Sequence, residues 1–235
     1  VAGGAESMSR APYAVPSARF GAKMGDVQMF DMMVGALTCP MGTGHMGVTA
    51  ENVAHEHDIS RQAQDEFALE SQKRAANAIA QGYFKEQIVP IEIKTRKGMV
   101  AFDTDEHPKA TDLEKLAGLK PAFQKVGGTV TAGNASGIND GAGAIVLARA
   151  EAAKAAGAKP LFRVLGYAVA GVRPEVMGIG PVPAVEALLA RTGLKVGDFD
   201  VIESNEAFAA QALAVNKGLG LDPAKVNPNG GAIAL

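Results

Sequence analysis

Apolar positions along the chain change their spacing twice, and each change marks a different kind of element. From residue 26 to 37, Val27, Met29, Phe30, Met32, Met33, Val34 and Leu37 give a methionine-rich helical run, broken after Cys39-Pro40 by Gly42 and Gly44. Thr49 is placed to cap a helix over 50–56. Ser60 is placed to cap a longer one over 61–81, in which Ala63, Phe67, Ser71, Ala75, Ala78 and Ile79 share a stripe that Gly82 ends. Two short apolar runs, 88–94 and 99–102, flank a basic turn closed by Gly98 and predict a hairpin. A short helix over 113–119 and an extended piece over 129–131 follow.

Beyond the glycine-broken stretch 132–141, the spacing turns to alternation of strand and helix. Residues 144–148 read as a continuous apolar strand, 149–156 as a helix stopped by Gly157, and 161–169 as another strand. Pro181 or Pro183 opens a helix through Ala190 that Gly193 stops; 201–203 is a strand, 207–217 a helix, and 226–227 enters a last strand. Such alternation predicts an α/β layered fold rather than an all-α or all-β one. The mixed, loop-rich region from about residue 9 to about residue 138 is set between pieces of that layered domain.

Composition narrows the function classes. At 235 residues and 47% hydrophobic, the chain can bury a large core. No stretch of eighteen uninterrupted apolar residues predicts a membrane span, and the start Val1-Ala-Gly-Gly4 carries no signal-like pattern. The net charge of −2 and the lack of a basic surface denser than Lys94-Thr-Arg-Lys97 argue against a nucleic-acid partner. One cysteine, Cys39, excludes an internal disulfide framework and fits a reducing compartment, the cytosol or an organelle matrix, and a cytoplasmic location is expected.

Candidate chemistry gathers where Val201-Ile-Glu-Ser204 delivers Asn205 and Glu206 to the start of a helix. Asn205 there either caps the helix or, at a strand's carboxyl end, faces a ligand. The small-residue turns Asn134-Ala-Ser-Gly-Ile-Asn-Asp-Gly-Ala142 and Asn227-Pro-Asn-Gly-Gly231 allow close approach to backbone, or are ordinary tight turns. His55-Glu-His57 lies in a helical pattern with no further Cys or His cluster, which predicts no metal site. Cys39, after an apolar helix, sits where the helix dipole disfavours a thiolate.

Taken in order, Gly3-Gly-Ala-Glu-Ser-Met8, His45-Met-Gly-Val-Thr-Ala-Glu-Asn-Val53, Leu119-Lys-Pro-Ala-Phe123, Thr129-Val-Thr-Ala-Gly-Asn-Ala-Ser-Gly137, Met177-Gly-Ile-Gly-Pro-Val-Pro183, Asn205-Glu-Ala-Phe-Ala209 and Asn227-Pro-Asn-Gly-Gly231 resemble the thiolases, in particular their acetyl-CoA acetyltransferase and β-ketothiolase branch. The resemblance covers essentially all 235 residues. It implies a layered α-β-α-β-α fold, incomplete here at both termini. Residues 1–8 would end an N-terminal domain, 9–138 form an inserted mixed α+β loop domain over coenzyme A, 139–160 return to the first domain, and 161–235 begin a C-terminal domain.

The chemistry implied is acyl transfer to and from coenzyme A through a cysteine thiolate, run as condensation of acetyl-CoA or thiolysis of a 3-ketoacyl-CoA, with the thioester as substrate and no separate cofactor. Asn205 is the catalytic residue that carries over, holding a water at the thioester oxygen. His45, Met46, Ala122, Phe123, Ala132, Ser136, Gly137, Ile138, Ala207 and Phe208 would line the pantetheine and acyl pocket, and Lys109 would lie near the nucleotide end. The family's nucleophilic cysteine would lie upstream of Val1; its Gly-His-Pro histidine and acid/base cysteine would lie downstream of Leu235. The chain alone is therefore expected to be an internal piece without turnover, and the complete protein a homo-oligomer, dimer or tetramer. The other reading is a non-catalytic coenzyme A-binding module.

Overall fold

In the computed structural model, which describes residues 1–235, β1 (Ala2–Ser7) is followed by two minimal strands, β2 (Tyr13–Ala14) and β3 (Phe30–Asp31), paired antiparallel. The helix expected over 26–37 shrinks to α1 (Met32–Ala36), because Asp31 accepts from the Met33 N–H at 2.9 Å and fixes the helix start there. Next come β4 (Thr38–Cys39) and β5 (Gly44–His45), then α2 (Met46–Glu56). The cap of α2 is His45, whose Nδ1 accepts from the Gly47 N–H at 3.0 Å, and not Thr49, which lies inside the first turn and donates to the Met46 carbonyl at 2.7 Å.

Helix α3 (Arg61–Gln81) forms as its pattern predicts: Ser60 Oγ accepts from the Ala63 N–H at 3.1 Å, and Gly82 ends it in the left-handed region at φ 73°. Its buried face is Gln64, Asp65, Ala68, Ser71, Ala75 and Ala78, so three polar residues stand in the apolar stripe. Each of the three makes a hydrogen bond to another part of the fold or to the turn before the helix. The hairpin of β6 (Ile91–Thr95) and β7 (Gly98–Phe102) is exposed on both faces. Helix α4 (Leu113–Ala117) is capped by Asp112, and Arg61 gathers the carbonyls at its far end, donating to Leu116 and Leu119 at 2.7 and 3.0 Å.

Strand β8 (Asp140–Ile145) starts four residues before the expected strand and pairs antiparallel with β1, from Ala2 opposite Ile145 to Ser7 opposite Asp140. The chain thus leaves and re-enters at one ladder. Helix α5 (Ala150–Ala155) follows, with Gly157 at φ 64° just beyond it. The strand expected over 161–169 is absent: these residues find no ladder partner, and Leu161 and Val169 are 92% and 88% exposed. A 3-10 segment (Pro174–Ile179) leads into α6 (Pro181–Thr192), and α7 (Ala209–Leu219) starts two residues later than its pattern suggests. The strand read at 201–203 is reduced to a single parallel bridge between Ile202 and Val226.

Packing converges on α7. Ala68 of α3, Leu116 of α4, Ala209 of α7 and Ile233 form one cluster; Val53 of α2, Val176 and Ala214 of α7 form the other. With alanine at Ala209, Ala210, Ala212 and Ala214, α7 lets α2 and α3 approach closely, which holds the loops at its N-terminal end between them.

Candidate functional site

The residues before α7 are threaded against the loop 129–137 by backbone hydrogen bonds. The Ala209 N–H donates to the Asn134 carbonyl at 2.9 Å, the Ser136 N–H donates to the Ala207 carbonyl at 3.0 Å, and Ala135 and Phe208 form an antiparallel bridge. Ser136 and Ala207, far apart in sequence, are therefore adjacent. Asn205 is not the cap of α7, because Phe208 occupies that position, and Asn205 is exposed.

Loop 129–137 is itself shaped by two carboxylates that the sequence pattern did not single out. Glu51 of α2, nearly fully buried, accepts from the Thr129 N–H, the Thr129 hydroxyl and the Val130 N–H at 2.8–3.0 Å. Asn134 is fully buried: its Nδ2 donates to Asp65 Oδ1 and to the Thr129 carbonyl, both at 3.0 Å, and its Oδ1 accepts from the Thr131 N–H at 2.8 Å. The one available signal was position: Glu51 and Asp65 fall on the buried faces of helices, where an unpaired carboxylate would be costly.

An aromatic stack closes one side. The His45 ring lies on Phe123 with centroids 4.7 Å apart, and Phe123 meets Phe208 edge to face at 6.2 Å. Met46, half-buried, begins α2 beside this stack, and the Ala122 N–H donates to the Val130 carbonyl at 2.9 Å. Ala132 and Ile138 are exposed on the same loop system. Asn205 lines a different surface, a shallow, open depression shared with Gly137, Asn139, Glu6 and Ala232. The expected residues thus gather as two groups, His45, Phe123, Phe208 with Ser136 and Ala207 on one side and Asn205 with Gly137 on the other, joined through residues 134–137 and 205–208. Lys109 stands apart from both on an exposed loop, its N–H donating to Gln72 Oε1 at 2.9 Å.

Electrostatics single out four groups here. Burial lowers the His45 pKa below its ordinary 6.5, in the same sense as the Gly47 N–H donating to its Nδ1. Burial first, and then the nearby Glu206 charge, raise Glu203 above the usual carboxylate value. The Ser9 hydroxyl, with the Ser9 N–H, lowers Asp140. The Cys39 thiol is shifted down, led by the Thr43 hydroxyl and the Met41 N–H, against the helix-dipole expectation: α1 ends at Ala36, and local donors outweigh it. At 4% exposure, Cys39 nonetheless offers a substrate almost no sulfur surface.

The sign of the His45 effect gives a pH prediction. The unfolded chain protonates His45 near 6.5, while the folded chain resists protonation, so the stabilising contribution is complete above that pH and is lost as pH falls through the depressed folded value. Unfolding midpoints measured from about pH 7.5 down to about pH 5 will fall, and His45→Asn, which keeps a capping side chain without the titration, will flatten that part of the profile.

The chain matches the family models "Thiolase, N-terminal domain" over residues 1–151 and "Thiolase, C-terminal domain" over 158–235, and it belongs to the thiolase family. It is 61% identical over 236 residues to a beta-ketothiolase of Cupriavidus necator and 55% identical over 238 residues to an acetyl-CoA acetyltransferase of Escherichia coli, covering 100% of this chain and 60% of each relative. Human mitochondrial 3-ketoacyl-CoA thiolase superposes with a TM-score of 0.94 at 50% identity, over 99% of this chain and 59% of that one. The same enzyme solved in complex with CoA gives 0.92 at 49% identity, over 99% and 58%. The chain has the α/β thiolase fold and spans about 60% of the length of these curated relatives.

Proposed function

We propose that these residues supply part of the coenzyme A thioester site of an acetyl-CoA acyltransferase, working by condensation of acetyl-CoA or by thiolysis of a 3-ketoacyl-CoA. The observation that carries the reading is the strapping of 205–208 onto 134–136, which brings the Asn-Glu-Ala-Phe segment and the Asn-Ala-Ser-Gly turn into one unit. In this reading Asn205 holds a water that donates to the thioester oxygen as negative charge develops there. His45, Met46, Phe123 and Phe208 form the apolar wall, with Ala122, Ala132, Gly137, Ile138 and Ala207 around it, and Ser136 hydrogen-bonds a pantetheine amide.

Residues 9–138 act as the domain that covers coenzyme A, and the working enzyme is a cytoplasmic homo-oligomer, dimer or tetramer. No helix is long and apolar enough to cross a membrane. The nucleophilic thiolate is not Cys39, whose burial withholds it from substrate. The alternative reading is a non-catalytic coenzyme A-binding thiolase-like module.

Purified chain incubated with acetoacetyl-CoA and coenzyme A is expected to show no thioester loss above blank. A chimera carrying the 235 residues in place of the matching segment of the Cupriavidus necator beta-ketothiolase is expected to cleave it, and Asn205→Ala in that chimera to lower kcat by about 100-fold. A folded chimera without thiolysis, or turnover by the chain alone, overturns this assignment.

A further inference from the structure

We propose that Glu206 is a positioning residue that aims Asn205 and at the same time fixes the turn at 230–234. This inference rests on the thiolase reading of Asn205. Glu206 is only 2% exposed and sits where two loops and a helix meet. Its Oε1 accepts from Asn227 Nδ2 at 2.9 Å; its Oε2 accepts from the Ser71 hydroxyl at 2.7 Å and from the Ile233 N–H at 3.2 Å. Every partner is a donor, so the site is built for an acceptor-only carboxylate.

The clamp has a second half. Asn227 also reaches the residue on the other side of Asn205, its Oδ1 accepting from the Ser204 N–H at 2.8 Å and its Nδ2 donating to the Ser204 carbonyl at 2.7 Å. Both neighbours of Asn205 are therefore held by a single amide, and Asn205, itself exposed, is presented between them. Asn227 itself adopts a left-handed backbone, with φ 45°. Ser71 of α3 passes the restraint on: its hydroxyl accepts from the Gly231 N–H at 3.1 Å, so residue 231 is tied to the Glu206 carboxylate through Ser71, while residue 233 is tied to it directly. No other buried carboxylate in the chain links Asn205's segment to that turn.

The test uses the chimera with the Cupriavidus necator beta-ketothiolase. Glu206→Gln places an amide N–H₂ among three donors; kcat is expected to fall by about tenfold or more while KM for coenzyme A stays within about threefold, since misaiming an oxyanion donor costs transition-state rather than ground-state binding. If Glu206 acts through Asn205, the same change made in an Asn205→Ala background will cost less than about threefold, whereas a full and additive loss there overturns the positioning role. Ser71→Ala, which keeps the carboxylate, serves if Glu206→Gln does not fold; its kcat is expected to fall about three- to tenfold, and an unchanged kcat counts against the proposal. Hydrogen exchange over 227–235 is read in the same samples. Faster exchange in the variants supports the clamp even in an inactive chimera, a result that would sink the thiolase reading alone, and unchanged exchange overturns the clamp.

Discussion

Replacing Asn134 by alanine will lower the unfolding free energy by about 3–5 kcal/mol, the upper range for a single polar residue, because two buried partners and one half-buried partner lose their bond at once. The Thr131 N–H, the Thr129 carbonyl and Asp65 Oδ1 all turn to this one amide, and Thr131 and Asp65 are buried. Asn134→Asp will be no milder, since it keeps the acceptor for Thr131 but sets a second carboxylate against Asp65. The damage reaches the proposed site, because the Asn134 backbone carbonyl receives the Ala209 N–H and the next two residues carry the bridge to Phe208 and the bond to Ala207. Urea unfolding of the parent and variant decides it. A loss below about 1 kcal/mol means that the loop does not depend on this amide.

Gly230→Ala will cost about 2–4 kcal/mol, for two separate reasons that a control can divide. Gly230 has φ 85°, and a Cβ there would lie 2.8 Å from the Ala75 nitrogen and Cβ and 2.9 Å from the Ser71 carbonyl oxygen. Those atoms belong to the backbone and stem of α3, which cannot swing aside. Gly220→Ala supplies the conformational share alone: its φ is 62°, with nothing within 4 Å of the added carbon, and about 1 kcal/mol is expected. Equal losses at the two positions would show that contact with α3 is not what keeps residue 230 a glycine.

Much of the helical frame was legible because its signals are local. Ser60 and Gly82 bound α3 within the reach of one helical turn, and Pro181 and Gly193 do the same for α6. The run 161–169 misled for the opposite reason. Apolar alternation states what a segment would bury, but a strand exists only when another segment offers its hydrogen bonds, and among residues 1–235 none does. In 26–37 the aspartate at 31 outweighed the three apolar residues before it, Val27, Met29 and Phe30, since a cap fixes where a helix begins.

At the candidate site, the Asn205 segment and the 134–137 turn could be read from their residues and their order along the chain. The carboxylates that hold them could not. Glu51 meets Thr129 across 78 positions and Ser71 meets Glu206 across 135, and no local pattern encodes a bond over such spans. His45 was legible as a wall residue but not as a helix cap, because its imidazole does the work usually given to serine or aspartate.

The β1–β8 ladder dictates an order of assembly. Its strands, Ala-Gly-Gly-Ala-Glu-Ser and Asp-Gly-Ala-Gly-Ala-Ile, carry almost no bulk to bury, and they meet across a separation of 133 positions at the Ser7–Asp140 rung. Closing so long an excursion costs entropy that a glycine–alanine ribbon cannot repay by itself, so the excursion must collapse first and carry the two ends together. The seam zips last, and its formation reports that everything between its strands has already folded.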